Sequence, residues 1–412
     1  MASPHAVAFA EAPSSRLMRQ HRLDRTSVIA LAVGLAAPLQ IELVGVVYGG
    51  EVLLALVALW ALASNLANPG FWRRPFITLL LCLVNTLGAY VITDLIHQTE
   101  APNLWRGGAR LIFLGSNFIG FYFLCRRNHL NVIVYAVGSA FGILLYLSWT
   151  GRLLDNWKFG ASAPVTLLIA GLIPLVARRG ALWGSLALAA VGVLHMSLDS
   201  REIGGNCLLA GVLLFARCSS ILKIKLLSWV MLGAVGSAGA GLVYAFVVSD
   251  QEYAQRRLLS NAWRTASLLT AANGIVESPW IGNGSQANNF EFQSRYDSIF
   301  AERTGMRYRG QQTDTSTFSP HSQILQAWFE AGLAGTAFFV YLGWKLLAAF
   351  KWCVFRRRPD AYSVLFAFCL LRATWHLLFS PFAGLARADV ALAAAIVCVL
   401  EMQRSSLRGF AS

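Results

Sequence analysis

Charged side chains are scarce in this chain. They make up 13% of its 412 residues, against about 25% in an ordinary soluble domain. Hydrophobic residues make up 56%, and the mean hydropathy is +0.55. A soluble enzyme is excluded, and a polytopic membrane protein is expected instead. Metal-binding spacings are missing too: there is no CxxC, no HExxH, and no Asp-x-Asp pair to hold a metal-bound sugar nucleotide. The seven cysteines (Cys82, Cys125, Cys207, Cys218, Cys353, Cys369 and Cys398) lie in or beside apolar segments, so no disulfide framework is expected. Acidic residues are outnumbered 20 to 34 by Lys and Arg, and in a membrane protein the placement of that +14 balance says more than its size. Residues 1–25 are polar and Arg-bearing, with no small-residue cleavage site after the first apolar run, which reads as a retained helix. No internal repeat is evident.

About twelve apolar segments are present, near 27–41, 44–64, 76–96, 108–125, 130–149, 162–177, 181–198, 203–218, 226–248, 322–350, 361–380 and 388–402. Each approaches the roughly 20 residues that cross a bilayer. Pro38 and Glu42 interrupt the first two, which as one broken segment would make eleven. Twelve spans with both termini inside puts nearly every basic doublet on one side: Arg73 and Arg74, Arg126 and Arg127, Arg178 and Arg179, Lys223 and Lys225, Arg356 to Arg358, then Arg404 and Arg408. The division is residues 1–248 with spans one to nine, an outer loop at 249–320, and residues 321–412 with spans ten to twelve.

That loop is the one long non-apolar region. Glu252 to Glu277 reads as an amphipathic helix able to lie on the membrane, with Leu258, Leu259, Ala262, Trp263, Ala266, Leu269 and Ile275 on its apolar side. Ser278-Pro279-Trp280-Ile281-Gly282-Asn283-Gly284 ends it with turn chemistry. Arg257 and Arg264, seven apart, share a face. They suit either anionic head groups or a phosphate, which guanidinium binds by paired, charge-assisted hydrogen bonds. Gly282 and Gly284 can add backbone N–H donors, although Gly-Asn-Gly is more often a plain turn.

The loop runs into Ser319-Pro320-His321-Ser322-Gln323. Ser319 is placed to cap the following helix, with Pro320 and His321 in its first turn. The positive end of the helix disfavours imidazolium, so His321 should be neutral near pH 7 and able to act as a general base; a surface histidine at a helix start is the plainer reading. Arg201, after Asp199-Ser200 at an outer helix end, is either a functional cation or a snorkelling side chain paired with Asp199. Glu330 needs a partner at membrane depth, with Arg372, His376 and Lys345 as candidates. Gly332 and Gly335 suggest close helix packing. His195 and Asp199, four apart, suggest a hydrogen-bonded pair, and Arg387 and Asp389 open the last segment on the outer side, where they can border the same site. A base and several arginines at one membrane surface suggest chemistry on a phosphorylated lipid.

Three stretches resemble the O-antigen ligase and polymerase superfamily of bacterial envelope proteins. They are His321-Ser322-Gln323-x-x-Leu-Gln followed by Glu330-x-Gly332-x-x-Gly335, Arg264 ahead of Pro279-x-x-Gly282-x-Gly284, and Asp199-Ser200-Arg201. Trp263 precedes Arg264, where family spacing puts a tryptophan after the arginine; the distance to Pro279 still favours Arg264 over Arg257. The resemblance implies an all-α integral membrane glycosyltransferase of the C type, inverting and metal-independent, with no cofactor. It implies about twelve transmembrane helices, one large periplasmic loop, and cytoplasmic termini in a bacterial inner membrane. An O-antigen ligase is expected: the donor is an undecaprenyl-diphosphate-linked glycan, the acceptor a sugar hydroxyl of lipid A-core, and the other partners membrane lipids rather than nucleic acid. His321, Arg264 and Arg201 are its expected catalytic residues. Arg257, Arg303, Arg307, Arg309, Gly282, Gly284, Gln323, Arg387 and Asp389 are candidates for contacting the diphosphate or the acceptor. An O-antigen polymerase or O-oligosaccharyltransferase is the alternative within the superfamily, and a flippase for the same lipid the alternative from another class.

Overall fold

The structure is a computed structural model, described here for residues 23–42, 46–152, 157–158, 160–177, 180–218, 251–285, 290–306, 320–355, 359–381 and 384–409. These form an all-α protein of fourteen helices with one two-stranded antiparallel hairpin. In chain order they are α1 (Arg25–Ala36), β1 (Gln40–Glu42), β2 (Val46–Tyr48), α2 (Gly49–Asn65), α3 (Arg74–Ile96), α4 (Ala101–Arg127), α5 (Leu130–Trp149), α6 (Ser162–Val176), α7 (Gly180–Ser197) and α8 (Arg201–Cys218). After these come α9 (Gln251–Glu277), α10 (Phe290–Thr304), α11 (Gln323–Gly335), α12 (Ala337–Phe355), α13 (Ala361–Phe379) and α14 (Ala386–Gly409).

Six of the helices (α3, α4, α5, α7, α12 and α13) are long and apolar enough to span a membrane, and the chain is a multi-pass membrane protein. α1, α2 and α6 are apolar but shorter. The first two apolar segments are separate helices: Pro38 ends one, and the hairpin carrying Glu42 intervenes. The segment expected at 226–248 lies outside the described residues.

α14 holds the centre. Its stretch from Val390 to Leu400 is buried on every side, which is why it shows no amphipathic stripe. It packs on α4, α13 and α12. Local signals set several starts. Asp360 caps α13, its carboxylate accepting from the Ser363 amide at 3.0 Å. Arg73 precedes α3, whose first turn takes Pro75 without losing a backbone hydrogen bond.

The expected single span at 322–350 is two helices. Ala331 and Gly332 leave helical geometry, Gly332 at φ +64, and the chain restarts as α12 after Thr336. The hydrophobic run continues through the break, so hydropathy hides it. Gly332 is required rather than merely small: a Cβ there would lie 2.1 Å from the Trp280 carbonyl oxygen.

α9 is a helix, as its pattern predicts, and part of its apolar side is covered by protein. Ala262, Ala266, Ala271 and Ile275 are buried against Phe292 and Phe300 of α10 and Phe329 of α11. Leu258, Trp263 and Leu269 stay exposed. α10 falls in a polar stretch that gave no helical expectation; its two phenylalanines are what anchor it.

Candidate functional site

The site grows from the joint between α9 and α11. The turn after α9 lies across the break in α11 and is tied to it by backbone bonds. Asn283 N donates to Phe329 O at 2.8 Å, Gly284 N to Glu330 O at 3.0 Å, and Leu333 N to Pro279 O at 3.0 Å. The Trp328 indole donates to Pro279 O at 2.9 Å. From the other side the end of α3 grips the same turn. The Thr93 hydroxyl donates to Ile281 O at 2.5 Å, and Asp94 accepts from the Ser285 amide and hydroxyl at 2.6 and 2.7 Å. Gly282 and Gly284 therefore serve the turn. Both have positive φ, and their amides donate to Ser278 O and Glu330 O, so neither is an open donor for a phosphate.

This joint sets His321. Its backbone amide donates to the Ser267 hydroxyl of α9 at 3.2 Å, which keeps the chain on α9 and delays the helix. α11 starts at Gln323, with extended Ser322 as the cap accepting from Leu325 N at 3.3 Å. His321 thus sits just ahead of the cap, not in the first turn, and Ser319 lies outside the described residues. The histidine is exposed, yet the protein around it strips part of its water and the nearby Arg264 guanidinium repels a second positive charge. Both effects lower its pKa below the ordinary 6.5, so the ring is neutral at pH 7. Arg264 is exposed on α9 and has no carboxylate partner among the described residues.

Arg201 is linked to this joint only indirectly, through α13. The Ser322 hydroxyl donates to Leu377 O at 3.1 Å, and the preceding His376 lies 3.8 Å from Glu202, the neighbour of Arg201. Arg201 pairs with Asp199 at 3.0 Å, in a geometry that leaves its Nε and Nη2 shielded from water with no aligned hydrogen bond. Gln323 is fully buried, and both polar atoms of its amide lack a partner. Thr270, one turn beyond Ser267 on α9, is buried with an unpartnered hydroxyl. Orphaned polar atoms are rare in interiors. Gln323 and Thr270 lie on the two helices that flank His321, and others, on Arg110, Asn117, Asn206 and Arg372, lie elsewhere in the bundle.

Other expected residues lie elsewhere. Arg387 is buried with Glu51, at 2.9 and 2.7 Å, where its guanidinium compensates a carboxylate inside the bundle. Asp389 pairs with Arg372 at 3.0 Å and His376 at 3.2 Å. Neither is open to a ligand as an unpaired rim charge. Glu330 takes none of the three expected partners. It accepts from Tyr90 and Arg110, both at 2.8 Å, and from Gln326 at 3.1 Å, while Lys345 pairs with Glu401 at 2.6 Å. Arg110, an arginine inside an apolar run, was the signal for that pair. His195 bonds Trp157 and Thr166 at 2.9 and 2.7 Å, not Asp199. Arg303 is exposed in the last turn of α10. Arg257 lies on α9 with its side chain undescribed, and Arg307 and Arg309 lie outside the described residues. Among the described residues no three His, Cys, Asp or Glu side chains converge to hold a metal. No protein-family model matches the chain, and no curated protein matches it either.

Proposed function

We propose that the chain is a glycosyltransferase of the O-antigen ligase kind, joining a glycan from undecaprenyl diphosphate to a sugar hydroxyl of lipid A-core. The reaction takes place at the periplasmic face of a bacterial inner membrane, with both termini cytoplasmic. One observation carries the reading: His321, its pKa lowered by lost water and by the nearby Arg264, faces a guanidinium that has no carboxylate partner among the described residues. A neutral imidazole takes a proton, and a guanidinium takes a phosphate.

In this reading the acceptor oxygen attacks the anomeric carbon while its proton passes to the His321 ring. The bond from that carbon to the diphosphate oxygen breaks, and the leaving undecaprenyl diphosphate keeps the electron pair. Attack from the face opposite the leaving group inverts the configuration. Arg264 and Arg201 stabilise the charge that grows on the diphosphate, and guanidinium charge does the work a metal would otherwise do. The buried, unpartnered Gln323 amide supports a polar contact to the acceptor.

The test is reconstitution of the purified protein with undecaprenyl-diphosphate glycan and lipid A-core, in chelator, read as heavier lipopolysaccharide on a gel. His321→Ala should lower transfer by roughly 10²–10⁴-fold while the protein stays folded and inserted. Wild-type transfer by that variant removes the base assignment. Donor that lengthens without lipid A-core makes the protein a polymerase. An unconsumed donor that crosses the bilayer makes it a flippase.

A further inference from the structure

The opposite end of the bundle holds a cavity of about 860 Å³, lined by Arg73, Arg74, Pro75, Arg126, Glu401, Met402, Arg404 and Ser405. α3 joins the two ends: its last turn grips the turn after α9, and its first turn borders this cavity about 34 Å away at 1.5 Å per residue. The lining comes from three separate parts of the chain. Its one carboxylate is already neutralised, because Glu401 pairs with Lys345 at 2.6 Å. Four guanidiniums are left, none with a carboxylate partner among the described residues. Arg126 is steadied over the Phe71 ring at 5.7 Å, and Arg73 sits at the open N-terminus of α3.

From this geometry we infer that the cavity binds the phosphate of an anionic phospholipid head group. Arg73, Arg74 and Arg404 are exposed and Arg126 is half-buried, yet all four border one concavity. A basic stretch that only orients a membrane protein lies along a single loop. The volume decides between sources of phosphate. It falls among pockets that enclose drug-sized ligands, roomy enough for a head group with its glycerol and far too large for an inorganic ion. Pro75 and Met402 supply apolar contact for the glycerol end. Beside them the Trp72 indole donates to the Asn65 and Leu66 carbonyls, both at 3.2 Å, in the manner of a ring anchored where hydrocarbon meets water. Arginine-rich pockets between helices at the cytoplasmic side hold such head groups by the same attraction.

Native mass spectrometry of the delipidated full-length protein tests this, with phosphatidylglycerol, phosphatidylcholine and inorganic phosphate as probes. The wild type should retain phosphatidylglycerol in preference to phosphatidylcholine. Each guanidinium near an anionic head group contributes about fivefold, so the triple variant Arg73→Gln, Arg74→Gln, Arg404→Gln should bind it roughly a hundredfold more weakly. The matching Arg→Lys triple should keep most of the affinity, and Arg127→Gln, at the same end but outside the lining, all of it. Equal retention of the two lipids by the wild type overturns the inference, even if the triple variant fails to fold. So does wild-type retention by a folded triple variant. Ready displacement of phosphatidylglycerol by inorganic phosphate reassigns the cavity to a free phosphate and overturns the lipid assignment.

Discussion

The arginines inside the bundle and those at the His321 end differ in their company. Arg110 has Glu330 at 2.8 Å, Arg387 has Glu51 at 2.7 Å, and Arg372 has Asp389 at 3.0 Å. Each is a charge withdrawn from water and compensated by a carboxylate. Arg264 has no such carboxylate among the described residues, and Arg201 meets its carboxylate, Asp199, at 3.0 Å where both side chains are partly exposed. The same side chain is structural where it is paired at depth and available where it is not. An arginine in a membrane sequence is therefore uninformative until its partner is known.

The largest test of this contrast on the structural side is Glu330→Ala. It strands Arg110 and removes an acceptor from Tyr90 and Gln326, so stability should fall by roughly 3–5 kcal/mol. Thermal unfolding in detergent measures it. Lost transfer at unchanged stability would break the contrast, placing the deep pair in the chemistry. Arg264→Ala is the complement: transfer should drop about 10²–10³-fold with the melting temperature unmoved. A variant that melts early would make Arg264 structural after all.

Gly332→Ala is smaller and sharpens the comparison by disturbing the joint between the two regions. The left-handed backbone and the Trp280 carbonyl together predict about 1–3 kcal/mol of destabilisation, seen as earlier melting. The smallest effect is on pH. His321 works as the neutral ring, so transfer should fall as pH drops through a pKa lying below 6.5. Arg264→Gln removes one of the two causes of that lowering, so the acid limb of the residual activity should move to higher pH. An unmoved limb would mean that the two side chains do not sense each other.

Much of this was legible in advance. Apolar runs gave the six helices long and apolar enough to span a membrane, because hydropathy is a property of short stretches. The nearness of His321 and Arg264 was expected only as placement on one surface; the Ser267 contact that joins their helices leaves no local trace. Pairing at depth was misjudged for the same reason. Glu330 chose Arg110 across 220 positions of sequence, and spacing carries no signal over that distance. The break in α11 was masked because leucine, alanine and phenylalanine continue on both sides of Gly332. The helix α10 was missed because two buried phenylalanines, Phe292 and Phe300, settle an otherwise polar stretch.

The meeting of Gly282 and Gly332 bears on how such a chain can change over generations. A Cβ on Gly282 would lie 2.5 Å from the Gly332 nitrogen, and one on Gly332 would strike the Trp280 carbonyl. Where two side chains collide, a smaller neighbour relieves the conflict and the pair drifts together. Here the obstructing atoms belong to the main chain, which no substitution trims. Loss of either glycine thus has no second-site suppressor among its contacts, and reversion is the remaining route back.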